Sequence, residues 1–281
     1  MSQIKATVIQ ASKHISNDEY PVIITFELEY PRFIHSELMT HRVFSRNAAS
    51  SRAIPTDKLI EQVRNNPAMP VYWGINRSGM QAVHEHSDIN ACRSYWKAAA
   101  ASAAAEALRL SKLDLHKQII NRVLEPFMLM KTIVTSTEWE NFYDLRLHKD
   151  AQPEFKVLAE TMYKSIEDFT PMAIDFGEWH VPYIKRARNT ASKELYYVIG
   201  NKVIDLPTAI KISGSCCAQV SYKATDTSIE KAERIYDKLI TSKPAHASPI
   251  EHQCTPSNHP TEFTRNFKGW VQHRAIIEEN Y

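Results

Sequence analysis

The clearest secondary-structure signal in the chain is an alanine-rich segment at residues 91–110, which predicts a long helix because alanine has the highest helix propensity. Earlier in the chain, Val22–Tyr30 alternates in polarity between Pro21 and Pro31, which predicts a strand. The sequence contains no low-complexity linker that would separate independent domains. It therefore predicts helices and strands within one continuous globular unit.

The remaining pattern adds further helices and two irregular regions. Residues 34–42 are predicted to form a helix that delivers His41 and Arg42 to a polar loop at residues 45–55. The irregular regions are residues 66–90 and 176–200, and the basic run Lys185–Arg188 in the second is interpreted as a solvated loop, with a phosphate-contacting loop as the alternative. A helix is predicted to begin after Thr56, with Thr56 as its N-cap. Further helices are predicted at residues 114–130, 137–147, 153–169, 206–220 and 228–239.

Composition limits the classes of function. Hydrophobic residues make up 43% and charged residues 23%, which is typical of a globular protein and not of a disordered one. The formal net charge of +2 is too small to favour a nucleic-acid partner. No segment has the apolar length of a membrane span, and the first residues lack the apolar core of a secretion signal. We therefore expect a cytoplasmic protein whose four cysteines are reduced.

The first polar cluster lies at residues 41–52. His41 and Arg42 precede Ser45, Asn47, Ser50, Ser51 and Arg52. Small hydroxyl residues flanked by arginines can cradle an anion, because backbone N–H groups and hydroxyls contact a phosphate while an arginine clamps it. A serine-rich surface loop is the alternative.

Two further clusters carry polar side chains. In the helix at 137–147, Phe142 and Leu145 are predicted to face the core, while Asn141 and Arg146 lie at a pocket rim. An ordinary amphipathic helix is the alternative. The third cluster contains a hydroxyl before a proline and then two polar residues, in His246-x-Ser248-Pro249-x-Glu251-His252. No histidine pair has the spacing of a zinc protease, so no metal site is predicted.

Together these clusters resemble the flavin-dependent thymidylate synthases. His41-Arg42-x-x-Ser45-x-Asn47-x-x-Ser50-x-Arg52 resembles that family's R-H-R motif and serine loop, and Asn141-Phe142-x-x-Leu145-Arg146 resembles its N-F-x-x-L-R helix. Three other blocks are similar to the family's pattern: Arg122 before Pro126, Ala218-Gln219-Val220-Ser221-Tyr222, and His246-x-Ser248-Pro249-x-Glu251-His252.

The order of the blocks differs from the usual family order, in which the last two precede the R-H-R motif. A circular permutation is the simplest account, within a single domain over residues 1–281 made of parts 1–175 and 206–281. We expect the two termini to lie near each other. Gln272-His273-Arg274 repeats the approach to the R-H-R motif, either as a relic of duplication or as a replacement contact in the site.

The resemblance implies an α+β fold, with helices packed around a small, mostly antiparallel sheet in a single compact domain. It also implies a homotetramer with shared active sites that binds FAD and uses NADPH and methylenetetrahydrofolate to methylate dUMP. By the same resemblance, Arg146 faces the pyrimidine as the catalytic residue. The other implied substrate residues are Glu37, Ser50, Ser51, Arg52 and Arg122. The implied flavin residues are His41, Arg42, Asn141, Ser221, His246, Ser248 and Glu251.

Three departures from the family pattern leave the substrate open. Thr40 replaces the first arginine of R-H-R, Glu37 replaces a glutamine, and Ala48 and Ala49 stand where a glutamate is usual. One alternative is methylation or hydroxymethylation of another pyrimidine nucleotide such as dCMP. A second alternative is an inactive relative that binds nucleotide as a regulatory or structural module.

Overall fold

A five-stranded sheet forms the centre of the fold. The computed structural model describes residues 3–220, 225–243 and 246–279. The strand order is β3-β4-β2-β1-β5, and all neighbours are antiparallel except the parallel pair β1 and β5. The strands are β1 (Lys5–His14), β2 (Ile23–Pro31), β3 (Ser45–Ala48), β4 (Leu129–Ser136) and β5 (Met172–Ile174).

The predicted strand at Val22–Tyr30 is confirmed as β2, which lies in the middle of this sheet. β2 pairs with β4 from Ile24 opposite Ser136 to Pro31 opposite Leu129. Phe26, Leu28 and Tyr30 are fully buried, because helices cover the face of the sheet to which these alternate residues point.

Helices of the first half cover the sheet and supply most of the core. The buried alanines Ala100, Ala104 and Ala107 of α3 follow helical spacing, so one face of this long helix packs inward. α6 begins with Pro153 after Gln152, whose side chain accepts a hydrogen bond from Phe155 N at 2.8 Å. The helices are α1 (His35–Met39), α2 (Thr56–Asn65), α3 (Ile89–Ser111), α4 (Lys117–Ile120), α5 (Glu140–Arg146) and α6 (Pro153–Glu167), with 3₁₀ turns at Arg32–Ile34 and Asn121–Phe127.

Several boundaries differ from the prediction. The helix expected at residues 114–130 ends as a 3₁₀ turn containing Pro126, and strand β4 begins at Leu129. Proline removes a backbone donor, and the β-branched residues that follow favour an extended chain. The predicted polar loop begins with strand β3, and Thr56 is the first residue of α2 and not its cap.

The second half forms a small sheet, helices and a terminal segment that lies against the central sheet. The predicted solvated loop at Lys185–Arg188 is wrong, because these residues form strand β6 with Arg186 buried. The elements are β6 (Lys185–Arg188), β7 (Leu195–Ile199), β8 (Lys202–Ile204), α7 (Leu206–Ala218), α8 (Ile229–Thr241), a 3₁₀ turn (Ser248–Glu251), β9 (Cys254–Pro256), β10 (Phe263–Thr264), β11 (Phe267–Lys268), β12 (Trp270–Gln272) and α9 (His273–Glu279).

Hydrogen bonds join this second half to the first. Trp270 is fully buried, and its Nε1 donates to Pro21 O at 2.9 Å. The four cysteines are free thiols, and Cys216, Cys217 and Cys254 are buried. Among the helices of the described ranges, none combines the length and apolar character of a membrane span. The predicted α+β fold with a small, mostly antiparallel sheet is confirmed.

Candidate functional site

Arg146 and His41 lie in direct contact at the end of α1. Arg146 Nε donates to His41 Nε2 at 3.0 Å, and its Nη2 donates to Thr40 Oγ1 at 3.2 Å. The guanidinium carbon lies 4.7 Å from the centre of the Phe155 ring. Two predicted site residues that are far apart in the chain are therefore held together by hydrogen bonds and a cation–π contact.

His41 is a neutral hydrogen-bond acceptor in this arrangement. Burial, followed by the positive charges of Arg146 and Arg46, lowers the pKa of His41 to about 4. Because Nε2 accepts from Arg146, the ring proton of neutral His41 lies on Nδ1. His41 therefore positions Arg146 and is not protonated near neutral pH.

The serine segment, residues 45–52, has a buried beginning and a largely exposed end. Ser45, on β3, is fully buried and accepts hydrogen bonds from Gln272 Nε2 at 2.8 Å and from Asn266 Nδ2 at 3.2 Å. Ser50 and Arg52 follow β3 and are exposed. The beginning of this segment is therefore structural, and its end faces solvent.

Ser51 and Arg122 converge on a carboxylate that sequence analysis did not single out. Ser51 Oγ donates to Glu125 Oε1 at 2.6 Å, and Arg122 Nη1 donates to the same oxygen at 2.9 Å. Asn121 Nδ2 donates to Ser51 O at 2.7 Å and fixes the backbone of this turn. The i, i+3 spacing of Arg122 and Glu125 was the available signal.

Asn47 connects three blocks that are distant in sequence. Its Nδ2 donates to Cys217 O at 2.6 Å, at the end of α7, and its Oδ1 accepts from Ser248 Oγ at 3.3 Å. Cys217 immediately precedes the Ala218–Tyr222 block. The serine segment and the two C-terminal blocks therefore meet at β3.

Glu251 pairs with Arg274 of the repeated Gln-His-Arg sequence. Arg274 Nη1 lies 2.5 Å from Glu251 Oε1, and Arg274 Nε lies 2.7 Å from Glu278 Oε1. Gln272 reaches Ser45, and His273 Nε2 lies 2.5 Å from the hydroxyl of Tyr236. Gln272 and Arg274 of this sequence therefore contact two of the predicted blocks, at Ser45 and at Glu251.

A cavity of about 330 Å³ opens beside Glu251. Arg46 lies in its wall, where Nη1 donates to Leu38 O at 3.0 Å and to His41 O at 2.8 Å. Burial lowers the pKa of Arg46, and the negative charge of Glu251 opposes that shift. The wall therefore offers a cation, a carboxylate and an aromatic ring. The residues of the wall are His35, Met39, Phe44, Arg46, Ala48, Glu251 and Asn266.

Other predicted site residues lie elsewhere or outside the described chain. Arg42 is exposed, and Asn141 is exposed on α5. Leu145 is 52% exposed, so its predicted core position is wrong, whereas the prediction for Phe142 is confirmed. Ser221 lies outside the described residues.

His246 faces a second, cationic cavity of about 370 Å³. The wall of this second cavity shares no residue with the wall of the cavity at Glu251. Gln219 of the A-x-V-S-like block lies in it together with cationic residues of α8. Within the described ranges, no three His, Cys, Asp or Glu side chains form a group that could hold a metal ion. The cationic residues are Lys231, Arg234 and Lys238.

Comparison with known proteins identifies the family. The family model for Thymidylate synthase complementing protein matches residues 6–172, which is more than half of the 281 residues. The chain belongs to this family. The match contains the blocks at His41–Arg52, Arg122 and Asn141–Arg146, and the two C-terminal blocks lie outside it. No curated protein sequence matches the chain.

Two solved structures illustrate the similarity. The chain is similar to the UMP/dUMP methylase PolB from Streptomyces cacaoi bound with 5-Br dUMP, at 17% identity and a TM-score of 0.48, over 59% of this chain and 90% of that chain. It is also similar to the flavin dependent thymidylate synthase ThyX from Helicobacter pylori complexed with FAD and dUMP. That match has 17% identity and a TM-score of 0.36, over 51% of this chain and 67% of that chain.

Proposed function

We propose that this chain catalyses the reductive methylation of dUMP to dTMP, with FAD as cofactor, NADPH as reductant and methylenetetrahydrofolate as one-carbon donor. The observation that carries the proposal is the convergence at Asn47, which bonds to Cys217, just before the Ala218–Tyr222 block, and to Ser248 within the H-x-S-P-x-E-H block. Family membership supports the same function.

The residues beside Glu251 suit a planar, anionic cofactor such as FAD. Phe44 offers an apolar wall, Arg46 offers a positive charge, and Glu251 can accept hydrogen bonds. When bound, the flavin would supply the electron and hydride transfer. Of the other proposed flavin residues, His41 would act through Arg146, and Ser248 would act through its bond to Asn47.

A second copy of the chain is part of the proposal. A cavity of about 330 Å³ is at the small end of ligand pockets, and a dinucleotide needs more space. Exposed Arg42 and Asn141 are available to a neighbouring copy. We therefore propose a homotetramer in which the active sites lie between subunits.

Arg146 is the residue proposed to act on the pyrimidine. Its fixed positive charge can stabilise negative charge that develops on the base during the reaction. Burial lowers the pKa of Arg146, while the nearby Glu37 carboxylate opposes that shift, and the side chain stays a cation at neutral pH. His41 and Thr40 hold the guanidinium at two points, so its orientation is set before substrate binds.

The phosphate is proposed to bind at the end of the serine segment. Ser50 and Arg52 are exposed there, and Ser51 and Arg122 lie beside them. A phosphate at this place would compete with Glu125 for Arg122 and Ser51. Binding therefore requires Glu125 to turn away, since two anions on one guanidinium repel each other.

A cytosine nucleotide such as dCMP is the second candidate substrate, favoured by the position of Glu37. This residue stands where the family has a glutamine, and its charge is felt by Arg146. A carboxylate accepts a hydrogen bond from the exocyclic amino group of cytosine, which uracil lacks. Methylation or hydroxymethylation of dCMP would use the same remaining machinery.

The first test is the visible absorption spectrum of the purified protein with and without FAD, followed by titration with dUMP and dCMP. A flavin spectrum perturbed by dUMP, with tritium release from C5 of dUMP, is the expected result. A response to dCMP alone would favour the second candidate. A colourless protein that takes up no FAD would reject both enzymes and favour an inactive nucleotide-binding relative.

We also propose that the chain is a circular permutation of the usual family order. Thr135 of β4 bonds to His252, so the C-terminal block lies against the sheet formed by the first half. The test is a re-permuted protein that opens the chain at the turn Gly200–Asn201, between β7 and β8, and links the present termini. We expect the same fold and flavin spectrum, whereas an insoluble or unfolded product would contradict the permutation.

A further inference from the structure

A chain of buried hydrogen bonds begins at Arg186, outside the proposed site. Arg186 Nη1 donates to Ser12 Oγ on β1 at 2.7 Å, and Nη2 donates to Ala11 O at 3.1 Å. Ser12 Oγ lies 2.7 Å from Nδ1 of His180. Arg186 is 8% exposed, and Ser12 and His180 are fully buried.

The chain continues across two more strands to the H-x-S-P-x-E-H block. His180 Nε2 lies 2.8 Å from Thr25 Oγ1 on β2, and Thr25 Oγ1 lies 2.7 Å from Thr135 Oγ1 on β4. Thr135 Oγ1 lies 2.8 Å from Nδ1 of His252. These side chains are all fully buried, so water does not interrupt the chain.

The direction of the chain follows from its first member. A guanidinium has donors and no acceptor, so Ser12 Oγ accepts from Arg186. In the described part of the protein, the other hydrogen-bond partner of Ser12 Oγ is His180 Nδ1, which therefore accepts a hydrogen bond from the Ser12 hydroxyl. His180 then carries its own proton on Nε2 and donates to Thr25.

The same rule applies at each following step. Thr25 accepts from His180 and donates to Thr135, which in turn donates to Nδ1 of His252. His252 must therefore carry its proton on Nε2. In this direction the Nε2–H of His252 has no acceptor in the described part of the protein, whereas in the reverse direction the Ser12 hydroxyl hydrogen has none. The positive charge of Arg186 decides between the two, because the first direction turns every N–H and O–H dipole of the chain away from the guanidinium.

We propose that this chain, anchored by Arg186, fixes the tautomer of His252 and thereby positions the turn that carries Ser248 and Glu251. Its positioning residues are Arg186, Ser12, His180, Thr25 and Thr135. The functional part of this inference rests on the proposed flavin site, because Ser248 and Glu251 are the residues to be positioned. The tautomer itself does not depend on any ligand.

Two observations support this role. Burial lowers the pKa of His252 to about 3, and burial, followed by Arg186 and His252, lowers the pKa of His180 well below its ordinary value. Both rings are therefore neutral at pH 7, and the tautomer is the variable left to be set. His252 is also the residue that ends the turn Ser248–Glu251, so the bond from its ring to Thr135 ties this turn to β4.

The first experiment measures the tautomers in the full-length protein labelled with ¹⁵N-histidine, using two-bond ¹H–¹⁵N correlation spectra. We expect His180 and His252 to be protonated at Nε2 in the unmodified protein. In Ser12→Ala, we expect the nitrogen shifts of both rings to move towards a tautomer mixture. A change confined to His180, or Nδ1 protonation in the unmodified protein, would overturn the relay.

The second experiment measures FAD affinity by flavin absorption for Thr135→Val, which removes the hydroxyl and keeps the shape. Thr135→Val loses the hydrogen bonds to Thr25 and to His252, and the bond to His252 is the one that holds the turn. We expect FAD binding about tenfold weaker than in the unmodified protein, the scale of that one bond. Thr135→Ser, which retains the hydroxyl, should recover the affinity. Thr161→Val is the matched control, because the Thr161 hydroxyl bonds only to its own helix, at Val157 O, within the described residues.

The two experiments separate this inference from the proposed function. If the unmodified protein binds no FAD, the proposed function fails, and the nitrogen shifts still decide whether the relay exists. If FAD binds and Thr135→Val binds it as tightly as the unmodified protein, the positioning role is refuted.

Discussion

Replacing Arg274 by glutamine tests whether the repeated Gln-His-Arg sequence is part of the site. Arg274 Nη1 lies 2.5 Å from Glu251 Oε1, and the Glu251 side chain is 13% exposed. Arg274→Gln removes the cation and leaves this carboxylate without its charged donor. We therefore expect both the stability of the fold and the affinity for FAD to fall.

The size of the loss follows from burial. A buried polar group that loses its hydrogen-bond partner costs about 1 to 3 kcal/mol, and a charged group costs more. The Arg274 side chain is 36% exposed, so solvent screens part of the interaction. We expect the free energy of unfolding to fall by about 1 to 2 kcal/mol, and FAD binding to weaken about tenfold or more.

Arg109→Gln provides the matched control. Arg109 Nη1 lies 2.7 Å from Glu106 Oε1, but the two side chains are 74% and 55% exposed. An exposed pair of this kind contributes less than about 1 kcal/mol. We expect Arg109→Gln to change the unfolding free energy by at most about 0.5 kcal/mol and to leave FAD affinity unchanged.

The assay is urea unfolding followed by tryptophan fluorescence, with the midpoint compared at a constant slope. FAD affinity is measured in parallel by absorption. Equal stability losses in Arg274→Gln and Arg109→Gln would refute the argument from burial. Unchanged FAD affinity in Arg274→Gln would show that the pair with Glu251 serves the fold and not the site.

Three further predictions concern His41, Arg186 and Arg146. Because the pKa of His41 is about 4 in the folded chain and 6.5 ordinarily, its contribution to stability is complete above pH 6.5 and is lost as pH falls towards 4, by about 3 kcal/mol at most. Urea unfolding between pH 7 and pH 4 should show that the free energy of unfolding falls with pH less steeply in His41→Asn than in the unmodified protein. An identical dependence on pH in both proteins would contradict this. Arg186→Met should lower the free energy of unfolding by about 3 kcal/mol. Arg186→Lys should recover less than half of this loss, because an ammonium group cannot reach Ser12, Ala11 and Trp179 in the same geometry. Full recovery of stability by lysine would refute the role of the planar guanidinium. Arg146→Gln should lower tritium release at least about 100-fold while FAD still binds, and unchanged turnover would exclude Arg146 from catalysis.

The elements that the sequence predicted well are those whose pattern is local. α3 is rich in alanine, α6 and α8 have helical spacing of apolar residues, and these helices and α7 each lie close to their predicted ranges. Strand β2 is bounded by prolines, which mark its ends without reference to any partner.

The elements that the sequence missed are strands, including the long strands β1 and β4 of the central sheet. β3 and β4 depend on pairing with residues far away in the chain, such as Ser45 with Thr135, and β6 pairs with β7, the next strand along the chain. Pairing of this kind has no signal within a few residues. Arginine side chains are normally exposed, so the charged run Lys185–Arg188 was predicted to be a solvated loop. Arg186 is buried in this protein, and the prediction is therefore wrong.

For the site, the sequence determined which residue types are available, and the resemblance grouped them into blocks. Tertiary structure decided which of them touch: Arg146 with His41, Asn47 with Ser248, and Arg274 with Glu251. It also separated His246 from the cavity at Glu251. The physical reason is that a hydrogen bond requires two atoms within about 3 Å, and only the folded sheet brings residues 105 or 201 positions apart to that distance.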